Sequence, residues 1–207
     1  MIPDLWAFEN QVRHAGYTCV AGIDEAGRGP LAGPVVSAAV ILPDAESVHH
    51  PDLAGVTDSK RLSPGRRNHL YEQIYKTARA IGIGIVDVAE IDRDNILEAS
   101  RRAMKIAVAH LFPRPDCLLI DGIFGIDADI VQHPLKKGDA LSISIAAASI
   151  VAKVTRDRMM DQMDLLFPEF GFGQHKGYPT CRHRQAISAY GCSPIHRKTF
   201  RGVREYL

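Results

Sequence analysis

An apolar run from Tyr17 to Ile23 leads directly into two acids, Asp24 and Glu25, and then into Gly27-Arg28-Gly29-Pro30. No other stretch constrains the chain so tightly. The run reads as a strand, and successive strand residues face opposite sides, so neighbouring carboxylates on a regular strand would diverge. A strand that ends at Glu25 and turns through the glycines relaxes that constraint. Both acids then approach one cation, and bare glycine amides lie open beside them. Acids suited to a metal and amides plus an arginine suited to a phosphate therefore fall within ten residues.

The following segments alternate between strand and helix patterns. Val35 to Leu42 is a second apolar, β-branched run that can pair with the first through the Gly/Pro-rich loop. Ser63-Pro64 predicts a helix start, with Leu70, Ile74 and Ala78 on one face and an end near Ala80. Ile81 to Val88 reads as a strand, and Asn95 to Leu111 as a helix. Cys117 to Ile120 is a short strand ending in Asp121-Gly122, and a brief strand near Ile130 to His133 follows. Leu141 to Leu166 predicts a long helix whose Ala146-Ala147-Ala148-Ser149 lets a neighbour pack closely. The last forty residues read as short helices broken by Gly and Pro. The expectation is an α/β layered domain, residues 1–166, with a helical extension, 167–207, in the same compact unit.

Composition narrows the class. A chain of 207 residues, 46% apolar and 24% charged, suits one soluble globular domain. The longest stretch without Lys, Arg, Asp, Glu or His is Gly29 to Pro43, 15 residues rich in Gly and Pro, too short to span a bilayer. Met1 to Trp6 has neither a basic nor an apolar leader pattern, so a cytoplasmic protein is expected. Of four cysteines, Cys19 and Cys117 lie in strand-like runs and read as buried thiols. Cys181-x-His183 and Cys192-x3-His196 hint at zinc, but the first gap is shorter than zinc ligands usually show. Net charge is +1, yet Gly171 to Arg204 holds seven basic residues and no acid. That leaves 18 basic against 24 acidic residues elsewhere, a net of −6. A basic C-terminal lobe beside an acidic body suits a protein that holds a polyanion and presents carboxylates to it; a solvated basic face explains the count as well.

Four acids stand where strands end or a helix begins: Asp24, Glu25, Asp121 and Asp139. Ligand sites of open α/β sheets lie beyond the carboxyl ends of strands. Oxygen ligands without His or Cys select Mg²⁺ or Mn²⁺ and suit two-metal phosphoryl chemistry. A lone strand-end Asp is also a common turn residue, and Asp139 could cap the long helix. Asp157, Asp161 and Asp164, flanked by Arg156 and Arg158, read as an ion-paired stripe. Spacing leaves open whether Asp139 or Asp157 is a fourth ligand.

Asp24-Glu25-Ala26-Gly27-Arg28-Gly29-Pro30 resembles the signature of the type 2 ribonucleases H, specifically bacterial ribonuclease HII. Five further blocks agree in order: Asp58 to Ser63, Leu119 to Gly122, Lys137 to Asp139, Ile145 to Asp157 and His175 to Thr180. The resemblance implies a ribonuclease H-like fold, a mixed five-stranded sheet flanked by helices with a C-terminal helical part. It implies endonucleolytic cleavage of RNA in RNA–DNA hybrids and at single ribonucleotides in duplex DNA, leaving 3′-hydroxyl and 5′-phosphate ends. It assigns metal binding to Asp24, Glu25, Asp121 and Asp139, which by analogy selects Asp139. Gly27-Arg28-Gly29 resembles the family's detector of the ribose 2′-hydroxyl, the group that distinguishes RNA from DNA. Tyr178 resembles the residue that packs on the following sugar. Lys60 resembles a phosphate contact, with Lys153 and Arg184 as weaker candidates. The implied cofactor is Mn²⁺ or Mg²⁺ and the implied partners are hybrid and ribonucleotide-containing duplexes, met by a monomer. Arg204 to Leu207 shows no clear tail for a replication clamp. A DNA junction nuclease of the same fold and a non-catalytic nucleic-acid binder are the competing readings.

Overall fold

The two apolar runs become the centre of a sheet because helices cover them on both faces. In the computed structural model, residues 4–44, 53, 55–57 and 59–207 are described, with the side chain of Arg61 left out. Asp58 and Met1 to Pro3, named above, lie outside the described residues. Strand β1 (Val20–Ala26) pairs antiparallel with β2 (Val35–Ile41), and β2 pairs antiparallel with β3 (Ala80–Val86). On its other edge β1 runs parallel to β4 (Cys117–Asp121), which runs parallel to β5 (Val131–Leu135). The order is β3-β2-β1-β4-β5, a mixed five-stranded sheet. Pro134 sits in β5, where an edge strand tolerates a missing amide donor.

Helix α1 (Ala7–His14) precedes the sheet, and α2 (Pro64–Thr77) begins where Ser63 Oγ accepts from the Arg66 amide. Between β3 and β4 run α3 (Val88–Asp94) and α4 (Ile96–Ala109), separated by Asn95, whose side chain caps α4. The long helix is α5 (Ile143–Leu166), capped by Ser142 and followed by α6 (Phe172–His175) and α7 (Cys181–Tyr190). Helices α1 and α3 lie outside the segments for which the sequence predicts a helix.

Helix α5 lies against one face of the sheet and α4 against the other. Val40, Ala38 and Ala146 to Ala148 share one core; Ala21, Ile23, Leu118 and Met104 share the opposite one. Close approach of α5 is specific. A Cβ on Gly22 would meet the backbone carbon of Ser144 at 2.1 Å, so only glycine lets the helix lie this near β1. Helix α1 anchors the start of α5 through buried Glu9, whose Oε1 accepts from Ser142 Oγ and the Ser144 amide. A third core joins Leu31 and Ala32, from the β1–β2 loop, to Met160, Phe170, Phe172, Ile187 and Val203. The C-terminal residues thus pack on the very loop that holds Gly27 to Pro30. Among the described residues no helix is long and apolar enough to cross a membrane.

Candidate active site

Parallel pairing of β1 with β4 brings the acids together. Ile23 is registered against Ile120, so Asp24 and Asp121, each one residue further on, leave adjacent strands side by side. Strand β1 does not stop at Glu25 as expected; it stays regular to Ala26, with Asp24 opposite Ala38 and Glu25 opposite Ser37. The two acids therefore keep the divergence of a true strand. Asp24 takes the α5 face, where Ser149 bonds its carboxylate, and Glu25 takes the other. Both still reach one cleft of about 370 Å³, because it wraps the open end of the sheet. Its walls include Asp24, Glu25, Gly27, Arg28, Gly29, Lys60, Asp121 and Tyr178, eight of the nine residues singled out from the sequence.

Asp139 is the ninth. It is buried in a short 3₁₀ turn, Gly138–Ala140, one residue beyond the Gly138 amide that donates to Asp121 Oδ1 at 2.7 Å. Lys60 Nζ stands 3.9 Å from Asp139 Oδ2. Asp157, the alternative left open by spacing, is held by Lys153 at 2.6 Å and by Arg67 at 3.7 Å. The Asp157 stripe is only partly the surface feature the sequence suggested, since Arg156 beside it is fully buried. Lys153 also lines the cleft and lies over the Tyr178 ring at 5.7 Å. Arg184 does not; it lines a separate cavity with Arg201 and Tyr206.

Electrostatics distinguish these acids from surface carboxylates. Burial, then the charges of Glu25 and Asp121, push the Asp24 carboxyl well above the usual range. Burial also raises Glu25, against the opposing pull of Arg28, which bonds Glu25 Oε1 at 3.3 Å. Glu25 Oε2 is buried with no hydrogen-bond partner. Among the described residues no three His, Cys, Asp or Glu side chains converge closely enough to grip a cation. The donor set still suits a hard divalent cation: carboxylate oxygens alone, an unsatisfied buried oxygen, and mutual repulsion that a cation would relieve.

Behind the acids, Ser149 was missed as a site residue. It bonds Ser59 Oγ at 2.8 Å as well as Asp24, tying the turn that carries Lys60 to the acid. A serine within an alanine-rich helix gives no sign of this, because its partners are remote in sequence. The cysteine–histidine spacing has a different explanation from zinc. His183 Nε2 and His196 Nε2 are 3.0 Å apart and bonded to each other, while their Nδ1 atoms engage Tyr178 O and Ser193. All four ring nitrogens are in use, and Cys181 is exposed.

The glycines on either side of Arg28 differ. Gly27 has φ +104°, and a Cβ there would lie 2.3 Å from Arg156 Nε, so a buried arginine requires this glycine. A Cβ on Gly29 would meet only Tyr178, at an ordinary 3.7 Å. Gly29 lines the cleft beside Tyr178, and the fold itself does not require a glycine there.

Comparison with known proteins gives a consistent picture. The Ribonuclease HII family model matches residues 21–203. Ribonuclease HII of Geobacter sulfurreducens is 57% identical over 205 residues, covering 99% of this chain and 92% of that protein. Among solved structures, ribonuclease H2 from Pyrococcus horikoshii superposes with a TM-score of 0.77 at 30% identity, covering 91% of this chain and 97% of that one. Ribonuclease HII from Archaeoglobus fulgidus, solved with PCNA, gives a TM-score of 0.73 at 29% identity over 89% and 96%.

Proposed function

The chain belongs to the ribonuclease HII family and is an endoribonuclease of the ribonuclease H type, and we propose that it cuts at single ribonucleotides embedded in duplex DNA as well as in RNA–DNA hybrids. The observation that carries this reading is one cleft holding both the acids and Gly27-Arg28-Gly29 with Tyr178. Chemistry and ribose selection are then one event, because the residues that read the sugar stand beside those that act on its phosphate.

Asp24, Glu25 and Asp121, with Asp139 as the fourth, are the residues to hold Mg²⁺ or Mn²⁺. Two cations bound there would supply an activated water and charge stabilisation at the leaving 3′-oxygen, the chemistry that leaves 3′-hydroxyl and 5′-phosphate ends. The chain's own contribution is placement. Ser149 and the Glu25 amide, 2.7 Å from Asp24 Oδ1, fix the Asp24 carboxylate; the Gly138 amide fixes Asp121. Lys60 and Lys153 set positive charge where the backbone phosphates must run. Gly29 admits the sugar without a side chain in the way, and the half-exposed Tyr178 ring beside it offers an apolar face for the next sugar.

Matched duplexes with and without one ribonucleotide, incubated with Mg²⁺ and then Mn²⁺, test the reading. Only the ribo-substituted strand should be cut. Asp24→Asn and Asp121→Ala should lower the rate on the order of 10²–10³-fold or more while leaving duplex binding, since phosphate contacts supply most affinity. Cleavage of the all-DNA duplex would favour a junction nuclease, and wild-type rates in both variants would refute the site.

A further inference from the structure

Two arginines outside the cleft are fully buried, and every hydrogen bond they make among the described residues goes to a backbone carbonyl. Arg197 donates to the carbonyls of Arg28 at 3.1 Å, Pro30 at 2.8 Å, Gly33 at 3.0 Å, Gly27 and Pro34. Arg156 donates to Pro34 at 2.9 Å, Ala32 at 3.0 Å and Lys176 at 3.0 Å. Six of the eight carbonyls from Gly27 to Pro34 are thereby drawn to one side. In a trans peptide the N–H points opposite to the C=O of the same unit. With the Gly27 and Arg28 carbonyls turned onto Arg197, the amides of Arg28 and Gly29 are aimed the other way. Gly27 and Gly29 line the cleft, so that way is toward the substrate.

We propose that Arg197 and Arg156 are positioning residues for ribose discrimination: they clamp the loop from behind and aim its amides at the sugar. The inference deepens the function proposed above and rests on it for the identity of the sugar. A planar guanidinium suits the task because its five donors have fixed directions, whereas a lysine offers a point charge. Both groups stay protonated at neutral pH although burial lowers them, Arg197 to about 9 and Arg156 to about 10. Two positive charges behind outward-facing amides also favour an electron-rich group in front of the loop.

Arg197→Lys keeps the charge and removes the fork, so it separates aim from electrostatics. The ratio of cleavage rates for a single embedded ribonucleotide over a continuous hybrid should fall about 10- to 100-fold, mainly in kcat, because small misplacements near reacting groups have effects of that size. Hydrogen exchange should rise at the Leu31 and Gly33 amides, which bond Gly177 O and Ile195 O when the loop is ordered. An unchanged ratio, or an equal loss on both substrates, would overturn the proposal. If Arg197→Lys does not fold, Arg156→Lys, which risks only three bonds, carries the same comparison. A wild-type protein that cuts neither substrate would sink the proposed function instead. The clamp would then stand or fall on whether Leu31 and Gly33 lose protection in the lysine variants.

Discussion

On one side of the cleft carboxylates gather at the ends of β1 and β4; on the other, two guanidiniums lie under the loop that joins β1 to β2. Both regions bury charge, and they resolve it in opposite ways. Arg156 and Arg197 are satisfied entirely by carbonyls of the chain, so their positive charge is structural and complete. Asp24 and Glu25 are resolved less fully, although Asp24 accepts from the Glu25 amide and Ser149. Their proton affinities are raised by burial, Asp121 adds repulsion to both, and one Glu25 oxygen has no partner. A buried charge with all its hydrogen bonds made holds a fold together, whereas one left incomplete is a site waiting for a counter-charge.

That contrast breaks first on stability. Arg197→Met should destabilise the protein by about 3–5 kcal/mol in urea or guanidinium titrations, because five carbonyl partners lose a buried donor. Should it cost less than ~1 kcal/mol, the guanidinium side is not structural. The paired glycines sharpen the point. Gly27→Ala, with φ +104° and Arg156 in the way, should cost about 2–3 kcal/mol, whereas Gly29→Ala should stay within ~0.5 kcal/mol and lower cleavage. Equal stability losses would erase the distinction between a packing glycine and a clearance glycine.

The acid side should respond to cations instead. Mn²⁺ at ten times its Kd should stabilise the wild type by about 1.4 kcal/mol in thermal melts, and should do much less for Asp24→Asn. Without cation, Asp24→Asn should melt no lower than the wild type, since it removes repulsion and keeps shape.

Acidification gives the smallest and most selective difference. Burial lowers His183 and His196 to about 4, below the 6.5 of an exposed histidine. The unfolded chain therefore binds more protons between pH 6.5 and 4, and stability falls as pH drops through that window. Protonation places two N–H donors head to head at Nε2. Exchange protection should be lost in residues 170–203 before residues 20–41 as pH falls. Simultaneous loss would show that the histidine pair is not the weak point.

Much of this was legible in the chain. Ser63-Pro64 marks a helix start by side-chain capping, a local interaction, and stands where α2 begins; Asn95, expected as the first residue of a helix, instead caps α4. The apolar runs predicted β1, β2 and β4 because central strands covered on both faces read as continuous hydrophobic stretches. Helices α1 and α3 escaped notice because their apolar positions are few and tertiary contacts such as Glu9 with Ser142 stabilise them. Arg197 was counted within a basic lobe, since nothing local separates a buried arginine from a solvated one. Its partners lie more than 160 positions away in the chain.

The kinds of chemistry present were set by the sequence alone: carboxylates where strands end, glycines beside an arginine, and a tyrosine far along the chain. Side-chain types and local periodicity carry that information without a fold. What only the tertiary structure decided is arrangement. The β1–β4 register put Asp24 beside Asp121, the regular strand sent Asp24 and Glu25 to opposite faces, and two remote arginines settled which way the loop amides point. Direction and distance arise from contacts between segments distant in the chain, and those exist only once the sheet and its helices have closed.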